Sequence, residues 1–236
     1  MRKIAISDIH GCNSTFEALL QQINFSKEDQ LFLLGDYLDR GPSSKQVLDT
    51  IFRLKAEGYQ LQCLRGNHEE MLLWALSGHS YNLASFLRNG GDITLASFGV
   101  KHPRDISEQY LDFLENLPLW IEADEYIFVH AGLQFVSGTS PFEHTDKMLW
   151  IRNWYVDLDL EWLGQRYIVH GHTPTPRATI QNLFRHFNGL RVINIDAGCV
   201  FRQAGHGHLC AVDLSNRILY FEPRHAGDEI REPYIK

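Results

Sequence analysis

Three times within its first 70 residues, this chain ends an apolar, β-branched run with a cluster of acidic, amide or imidazole side chains beside a glycine. The clusters are residues 8–11 (DIHG), 35–41 (GDYLDRG) and 66–69 (GNHE). Short apolar runs of this kind are typical of buried strands, and ligands commonly bind beyond the ends of such strands. The pattern therefore predicts three strands whose following loops meet at one metal site, and it makes the chain a candidate enzyme.

Helical spacing separates the three predicted strands. Apolar residues recur at Phe16, Leu19 and Leu20, which is one face of a helix. Pro42 opens a second helix and Gly58 ends it. The predicted strands cover residues 3–7, 30–34 and 59–64, and the predicted helices cover 13–23, 42–57 and 69–76. This alternation predicts an α/β fold with a parallel sheet and helices on its faces.

The alternation stops after residue 76 and resumes at residue 125. Residues 77–125 are predicted to form a helical insertion near the mouth of the site, with helices at 80–87 and 106–117 and a loop at 89–91. Later strands are predicted at 125–130, 166–170, 191–195, 209–214 and 217–222, with a hairpin turn at Ser215-Asn216. The charged tail at 223–236 is expected to lie on the surface or fray. No flexible linker interrupts the chain, so residues 1–236 are predicted to form a single domain.

Composition narrows the class of protein. The 236 residues are 44% hydrophobic and carry a formal charge of -7, which argues against nucleic acid or an anionic membrane as a partner. No apolar run approaches the roughly 18 residues of a membrane span, and the apolar start is too short for a signal peptide, so we expect a cytoplasmic protein. The cysteines lack metal-binding spacing and are expected to be reduced thiols: Cys12, Cys63, Cys199 and Cys210.

The side chains of the first two clusters suit metal binding. Asp8 and His10 stand two apart at a strand end, so both can face one pocket. Oxygen together with imidazole suits Mn, Fe or Zn better than Ca. Of Asp36 and Asp39, one carboxylate can bridge two ions, and the other can orient a histidine or form an ion pair with Arg40. Taken alone, each segment also fits a turn with a capping aspartate or a surface ion pair.

The later clusters repeat the pattern. Asn67 on its own would also fit a helix N-cap. His130 and His172 end apolar runs in residues 129–132 (VHAG) and 170–173 (HGHT). Five strand-end clusters in one chain are poorly explained by five separate structural roles. Together they predict one metal-dependent catalytic site.

In this order, the motifs resemble the signature of the PPP-type metallophosphoesterases, over residues 2 to about 214. The chain looks most like the compact bacterial and bacteriophage protein phosphatases, which it also resembles in residues 89–92 (NGGD) and 150–152 (WIR). The resemblance implies a calcineurin-like metallophosphoesterase fold. That fold is an α/β (α+β) arrangement in which two mixed sheets form a central β-sandwich flanked by helices.

The resemblance also implies a binuclear metal centre. Its cofactors would be two divalent ions, Mn²⁺ in the first place, with Fe or Zn as alternatives. Ser7 stands where the family usually has glycine, a small change that leaves the ligand assignment intact. The implied ligands are Asp8 and His10 for the first ion, Asp36 for both ions, and Asn67, His130 and His172 for the second.

The remaining motif residues would carry out catalysis. His68 would be the general acid and Asp39 its orienting partner, while Arg40, Arg152 and Asn67 would bind the phosphate. Two neighbouring cations lower the pKa of a bridging water, so hydroxide would attack phosphorus directly. His68 would protonate the leaving oxygen, and the guanidinium forks match phosphate oxygens.

The leading functional interpretation is a phosphoprotein phosphatase acting on phosphoserine and phosphothreonine, with phosphotyrosine as a further substrate. Its partner would be a phosphorylated protein or peptide, with no nucleic acid or membrane. The alternative is a bis(5'-nucleosyl)-tetraphosphatase of the same superfamily. Asp39 and Glu69 favour the phosphatase, because symmetrical tetraphosphatases often carry alanine and aspartate at those places. A catalytically silent binding module is disfavoured because every expected ligand is present.

Other candidates receive lesser roles. His206 and His208 are interpreted as part of a loop at the pocket rim, and His170 as a structural residue. Cys12 and Cys199 are expected to lie near the site in ordinary packing. Four aromatic residues fit either a wall of a substrate groove or a core beneath the insertion: Trp150, Trp154, Tyr155 and Trp162.

Overall fold

The computed structural model describes residues 1–229. Its strands are β1 Lys3–Ile6, β2 Gln30–Leu33, β3 Gln60–Cys63, β4 Trp120–Ala123, β5 Tyr126–Val129, β6 Tyr167–His170, β7 Val192–Asn194, β8 His208–Asp213 and β9 Ile218–Pro223. Its α-helices are α1 Asn13–Gln22, α2 Ser44–Ala56, α3 Asn67–Ala75, α4 Ser80–Phe86, α5 Asp92–Phe98, α6 Glu108–Glu115, α7 Thr145–Trp150, α8 Leu160–Leu163, α9 Arg177–Arg185 and α10 Phe187–Leu190. A π-helical turn, Leu87–Gly91, joins α4 to α5. Within the described range, no helix has the length and apolar character needed to cross a bilayer.

Two mixed sheets pack face to face. The five-stranded sheet has the order β3-β2-β1-β8-β9, in which the first three strands are parallel and β8 and β9 are antiparallel to their neighbours. The four-stranded sheet has the order β4-β5-β6-β7, with β4 antiparallel to β5. Between the sheets, the rings of Phe32 and Phe128 stack with centroids 4.0 Å apart. The predicted sandwich of two mixed sheets flanked by helices is confirmed.

Strand alternation explains why the inner strands read as continuous apolar runs. Successive side chains point to opposite faces. On β1, Ile4 and Ile6 belong to the apolar cluster that includes Phe16 of α1 and Val47 of α2, whereas Ala5 lies in the cluster between the sheets. Both faces are therefore buried, and polar side chains appear only where each strand ends. The functional site forms at those ends.

The structure corrects two local predictions. Residues 77–125 contain α4, α5 and α6, but Trp120–Ala123 is an edge strand rather than part of a helical insertion. Its residues are only partly buried, so it lacks the continuous apolar run of a central strand. The hairpin between β8 and β9 has a four-residue turn at 214–217 instead of two residues. Asp213 stabilises that turn by accepting hydrogen bonds from the backbone and side-chain N–H groups of Asn216, both at 2.8 Å.

The start of the C-terminal tail is anchored. Asp228 is buried and accepts hydrogen bonds from the amide and hydroxyl of Thr15, both at 2.7 Å, and from the Ser14 amide at 3.3 Å. These amides belong to the first turn of α1, so Asp228 satisfies helix donors from a distant part of the sequence. Residues 223–229 lie mostly on the surface, as predicted, but Asp228 anchors them to α1 and they are not frayed. Residues 230–236 lie outside the described residues.

Replacing Asp228 with alanine should lower the free energy of unfolding by about 1–2 kcal/mol, because two backbone donors of α1 lose their acceptor. Urea denaturation measures this change. Asp228→Asn keeps one acceptor oxygen and should recover most of the loss. An alanine variant as stable as the native protein would contradict the anchoring role.

Candidate active site

The predicted site residues share an unusual backbone conformation. Non-glycine residues rarely adopt positive φ, and those that do cluster at functional sites, where surrounding structure holds them in place. Here the backbone turns sharply just after β1, β2 and β6. The φ angles there are 54° at Asp8, 46° at His10, 55° at Asp36, 68° at Asp39, 69° at Arg40 and 67° at His172.

Backbone hydrogen bonds join the loops that follow β1 and β2. The N–H of His10 donates to the Asp36 carbonyl and the N–H of Gly11 to the Tyr37 carbonyl, both at 2.8 Å. Gly11 and Gly41 approach so closely that a Cβ on either would collide with backbone of the other loop. Only glycine permits this contact, which explains why both motifs end in glycine.

Glu69 fastens the third loop to the second. Its buried carboxylate accepts hydrogen bonds from the amides of Asp36, Tyr37 and Gly66, each at 2.8 Å. Burial and then the charge of Asp36 raise the pKa of Glu69 to about 7, while the amide hydrogen bonds act in the opposite direction. Glu69 thereby holds the loop of Asp36 against the start of α3.

Glu69→Gln should weaken binding of Mn²⁺ by roughly 10–100-fold, as expected when a residue that orients metal ligands is lost. It should also lower the free energy of unfolding by about 1–3 kcal/mol, because the amide NH₂ cannot accept a backbone hydrogen bond. Calorimetric titration with Mn²⁺ and urea denaturation measure the two effects. Glu70→Gln is the matched control, since Glu70 pairs with Arg65 instead. Native Mn²⁺ affinity in the Glu69 variant would contradict this role.

Asp36 lies at the centre of the predicted metal ligands. One of its oxygens is 3.5 Å from Nε2 of His10, and the other is 3.5 Å from Nε2 of His130. Two compact groups of potential ligands share this carboxylate. They are His10, Asp36 and His68, and Asp36, His130 and His172, with ligand atoms within 4.8 Å of one another. This position is the one a bridging carboxylate requires.

Asn67 and Asp8 also lie in this cluster, so all six predicted ligands are close together in space. The Asn67 Oδ1 atom is 2.9 Å from Nε2 of His130 and 2.8 Å from Nδ1 of His172. Asp8 accepts the backbone N–H of His172 at 3.0 Å, and its carboxyl group is in hydrogen-bonding contact with Asp36. The Ser7 hydroxyl also bonds to Asp8, so serine in place of glycine adds a contact to this ligand.

The histidines present unprotonated nitrogens to the site. Nδ1 of His10 donates to the Leu38 carbonyl at 2.9 Å, and Nδ1 of His130 donates to the Leu34 carbonyl at 2.8 Å. These bonds fix the tautomer and leave Nε2 as a ligand atom. Burial lowers the pKa of His10, and it lowers the pKa of His172 to about 2. Neutral imidazoles around a shared carboxylate are a donor set suited to divalent transition metals.

A further buried carboxyl group, Asp196, lies beside the site. Burial, followed by the charge of Asp8, raises the pKa of both Asp36 and Asp196. Divalent cations would offset this crowding of negative charge, so the residues present fit a binuclear centre. Sequence reasoning missed Asp196, although residues 192–198 (VINIDAG) repeat the pattern of an apolar run that ends in aspartate near glycine.

His68 and Asp39 form a buried pair. Nδ1 of His68 is 2.7 Å from Oδ2 of Asp39. The Thr94 hydroxyl donates to the other Asp39 oxygen at 2.6 Å and accepts the Asp39 amide at 2.9 Å. Thr94 comes from α5, and no sequence pattern pointed to it. The Asp39 carboxylate is thereby fixed, and it fixes the orientation of the imidazole in turn.

Arg40 reaches across the first group of ligands. Its guanidinium nitrogens are 2.9 Å from Nε2 of His10 and 2.8 Å from Nε2 of His68. The ring of Phe201 covers the guanidinium at 5.7 Å, and Gly90 packs against the Arg40 backbone too closely for any side chain. The predicted loop at 89–91 is thus part of the π-helical turn and supports Arg40.

Arg152 lies beside the second group. Its guanidinium donates to the Thr173 hydroxyl at 3.1 Å, and its charge is one of the causes that lower the pKa of His172. The two arginines therefore stand next to the two predicted metal positions. Phosphate oxygens at the centre could contact both.

The lesser candidates also lie close by. His206 is half-buried against Gly198 and Phe201. Cys12 and Cys199 are buried free thiols in contact with each other. The hydrogen-bonding contact with Cys199, followed by burial, raises the pKa of Cys12, which favours the packing role over reactivity.

A family model for the calcineurin-like phosphoesterases matches residues 1–208 of the chain. The chain belongs to this family. It is therefore a metallophosphoesterase, a hydrolase whose family uses a binuclear metal centre. Membership of this family agrees with the resemblance of the sequence motifs and with the two groups of potential ligands that share Asp36.

Similar proteins refine the comparison. This phosphoesterase is 30% identical over 228 residues to the asymmetrical bis(5'-nucleosyl)-tetraphosphatase PrpE of Bacillus velezensis, a match covering 83% of this chain and 84% of that protein. It is 37% identical over 139 residues to the symmetrical bis(5'-nucleosyl)-tetraphosphatase of Delftia acidovorans, covering 56% of this chain and 45% of that protein. A protein serine/threonine phosphatase from Saccharomyces cerevisiae shares the fold, with a TM-score of 0.64 and 16% identity over 100% of this chain and 82% of that one.

Proposed function

We propose that this phosphoesterase hydrolyses bis(5'-nucleosyl)-tetraphosphates such as diadenosine tetraphosphate. The observation that carries the proposal is the 30% identity to an asymmetrical tetraphosphatase along 83% of this chain and 84% of the relative. The similarity to the yeast phosphatase, at 16% identity, supports the fold alone. The tetraphosphatase, which was the alternative in the sequence analysis, is therefore proposed ahead of the protein phosphatase.

The two residues that favoured a protein phosphatase have internal roles. Glu69 is fully buried and accepts backbone amides, and Asp39 is fully buried between His68 and Thr94. Neither carboxylate is exposed to a substrate. Their identities reflect how the loops and the imidazole are held, so neither carboxylate directly contacts the group attached to the phosphate.

The chain's own residues divide the chemistry between them. The ligands Asp8, His10, Asp36, Asn67, His130 and His172 would hold two divalent ions, which when bound activate water and neutralise phosphate oxygens. Arg40 and Arg152 would bind the phosphate oxygens from either side. Asp39 holds one proton of His68 on Nδ1, so Nε2 faces the site. When the imidazole carries a second proton, on Nε2, it would donate that proton to the leaving oxygen. Mn²⁺ is the ion proposed first because the family resemblance implies it, and Fe and Zn suit the same imidazole and carboxylate ligands.

A substrate panel tests the proposed function. Protein depleted of metal and reloaded with Mn²⁺, Fe²⁺ or Zn²⁺ is assayed with diadenosine tetraphosphate and with phosphoserine, phosphothreonine and phosphotyrosine peptides. We expect the nucleotide to be cleaved with the highest kcat/KM, in the presence of Mn²⁺. Chromatography of the products distinguishes asymmetrical cleavage to AMP and ATP from symmetrical cleavage to two ADP. Turnover of the peptides without nucleotide cleavage would refute the proposal.

The second candidate is the phosphoprotein phosphatase expected from the sequence. The His68–Asp39 pair, at 2.7 Å, favours it, because an alkoxide leaving group needs a proton donor far more than a phosphate leaving group does. The same panel decides between the two functions.

A further inference from the structure

A pocket of about 360 Å³ opens beside the Arg152 side of the site. It lies between residues 153–156, the ends of β6 and β7, and one face of α9. We call it the Tyr155 pocket, and its principal lining residues are Tyr155, His170, Thr173, Thr179, Leu183 and Asn194. Its volume is in the range of ~300–1,000 Å³ that is typical of small-molecule sites.

The pocket is continuous with the proposed phosphate site. Two lining residues directly follow site residues in the sequence, since Asn153 comes after Arg152 and Thr173 comes after His172. The guanidinium of Arg152 donates to the Thr173 hydroxyl at 3.1 Å and so stands at the border between the two. A phosphate bound by Arg152 would have its next covalently attached group at the mouth of the pocket.

One wall of the pocket is aromatic and rigid. The Tyr155 ring meets the His170 ring edge to face at 5.5 Å and the Trp154 ring at 5.0 Å. Nδ1 of His170 lies 3.0 Å from the Gly171 carbonyl and donates to it, so Nε2 accepts the Tyr155 hydroxyl at 2.5 Å. Tyr155 is held at both ends, yet the residue is 42% exposed. A fixed, accessible ring is a surface on which a planar ligand can stack at little entropic cost.

The opposite part of the pocket is a preformed polar loop, which the side chain of Asn194 holds in place. The Asn194 amide donates to the Thr173 carbonyl at 2.6 Å and to the Thr175 hydroxyl at 3.1 Å. Its oxygen accepts the Asp196 amide at 2.9 Å, which ties the loop to the metal centre. Exposed Thr179 and half-buried Leu183 contribute a hydroxyl and an apolar face from α9. Flat apolar faces with polar edges are the chemistry of a nucleobase.

A larger cavity of about 660 Å³ lies elsewhere and fits this purpose less well. Its lining includes Glu70 and Trp74 of α3. Glu70 lies two residues beyond His68, which is roughly 200° around the helix. That cavity therefore opens on the face of α3 turned away from the catalytic imidazole.

We propose that the Tyr155 pocket binds the nucleoside that is joined to the phosphate at Arg152. The base stacks on Tyr155, and the ribose lies at the border near Thr173. This inference rests on the proposed hydrolysis of dinucleoside tetraphosphates and identifies the part of the molecule that recognises the nucleoside. It commits the pocket to a nucleotide and not to the side chain of a phosphopeptide.

Competitive inhibition tests the pocket without using a dinucleotide. Hydrolysis of p-nitrophenyl phosphate by the Mn²⁺-loaded protein is inhibited with inorganic phosphate, ribose 5-phosphate and AMP, of which the last two differ only in the base. AMP should inhibit about tenfold or more tightly than ribose 5-phosphate, the size of effect expected for stacking a base on an aromatic ring. Phenyl phosphate, a mimic of phosphotyrosine, should inhibit more weakly than AMP.

Three variants locate the effect. Tyr155→Ala removes the aromatic ring. Leu183→Trp and Thr179→Trp fill the pocket from α9, and because Thr179 is exposed its substitution leaves the core untouched. Each should bring the AMP inhibition constant to that of ribose 5-phosphate while leaving the phosphate constant unchanged. Asn182→Trp places the same bulk on an exposed position of α9 outside the pocket lining and should keep the native preference for AMP.

Each contrary result has a definite meaning. Equal inhibition by AMP and ribose 5-phosphate in the native protein would overturn the nucleoside pocket. A preference for AMP that survives all three variants would overturn its location, and phenyl phosphate equal to AMP would overturn its selectivity for a nucleoside. Failure to cleave diadenosine tetraphosphate, with the AMP preference intact and sensitive to the variants, would instead remove the proposed function and leave the pocket standing.

Discussion

Replacing Asp36 with asparagine should lower kcat/KM for every substrate by on the order of 10³-fold or more, a loss of about 4 kcal/mol of transition-state stabilisation. The native carboxylate directs one oxygen toward His10 and the other toward His130, each at 3.5 Å from Nε2. An asparagine side chain has a single oxygen and no charge, so it cannot bridge two cations. Elemental analysis after dialysis should accordingly find less than the native content of Mn²⁺.

The matched control is Asp124→Asn. Asp124 has a φ of 52°, close to the 55° of Asp36, but its side chain is exposed outside the site, so the same substitution there should preserve activity. Urea denaturation of the metal-free proteins shows whether the Asp36 variant loses activity simply because it unfolds. Because burial beside Asp8 disfavours the ionised form of Asp36, the metal-free asparagine variant should be at least as stable to urea as the metal-free native protein. A variant with native metal content and native turnover would refute the bridging role.

The His68→Asn variant should show a loss of activity that depends on the leaving group. For phosphotyrosine, whose phenol has a pKa of about 10, loss of the proton donor should lower kcat by ~10²–10⁴-fold. For diadenosine tetraphosphate the leaving group is a phosphate with a second pKa of about 6, which departs without full protonation, so the loss should be much smaller. Parallel kinetics with the two substrates measure the difference.

Metal content distinguishes the catalytic role of His68 from a ligand role. Nε2 of His68 lies 4.0 Å from Asp36, close enough for His68 to be considered a metal ligand. Its Nδ1 atom, however, is 2.7 Å from Asp39 and forms the pair described above. We expect the variant to keep native Mn²⁺ content. His79→Asn, at an exposed position before α4, is the control and should be fully active. Joint loss of metal and activity would make His68 a ligand, and equal losses on both substrates would argue against proton donation.

The strand-end ligands could be predicted from the sequence because one physical rule governs them. A strand buried on both faces cannot carry polar side chains, so Asp8, Asp36 and His130 first appear where the chain leaves the core. The same rule, applied to residues 192–198, would have added Asp196. The sandwich fold followed from the motif order through the family resemblance, because periodicity alone indicated a parallel sheet and not which strands meet.

Contacts made by tertiary packing could not be predicted in this way. Thr94 reaches Asp39 across 55 positions of sequence, and Asp228 reaches Thr15 across 213. Neither residue lies in a distinctive local pattern. Helices α5, α7, α8 and α10 were not predicted either, because four to seven residues are too few to establish a helical period. The nine-residue α9 was also missed, although Ile180, Leu183 and Phe184 have helical spacing. The substrate was the weakest prediction for a related reason. Asp39 and Glu69 face the protein interior, whereas the Tyr155 pocket is assembled from four separate parts of the chain.

A competition assay tests the proposed function most directly. Mn²⁺-loaded protein is given diadenosine tetraphosphate and a phosphothreonine peptide in one reaction, and the relative rates of consumption give the ratio of the two kcat/KM values. We expect the dinucleotide to be consumed at least about tenfold faster at equal concentrations, corresponding to roughly 1.4 kcal/mol of discrimination in the transition state. Preferential consumption of the peptide would contradict the account and restore the protein phosphatase as the function of this site.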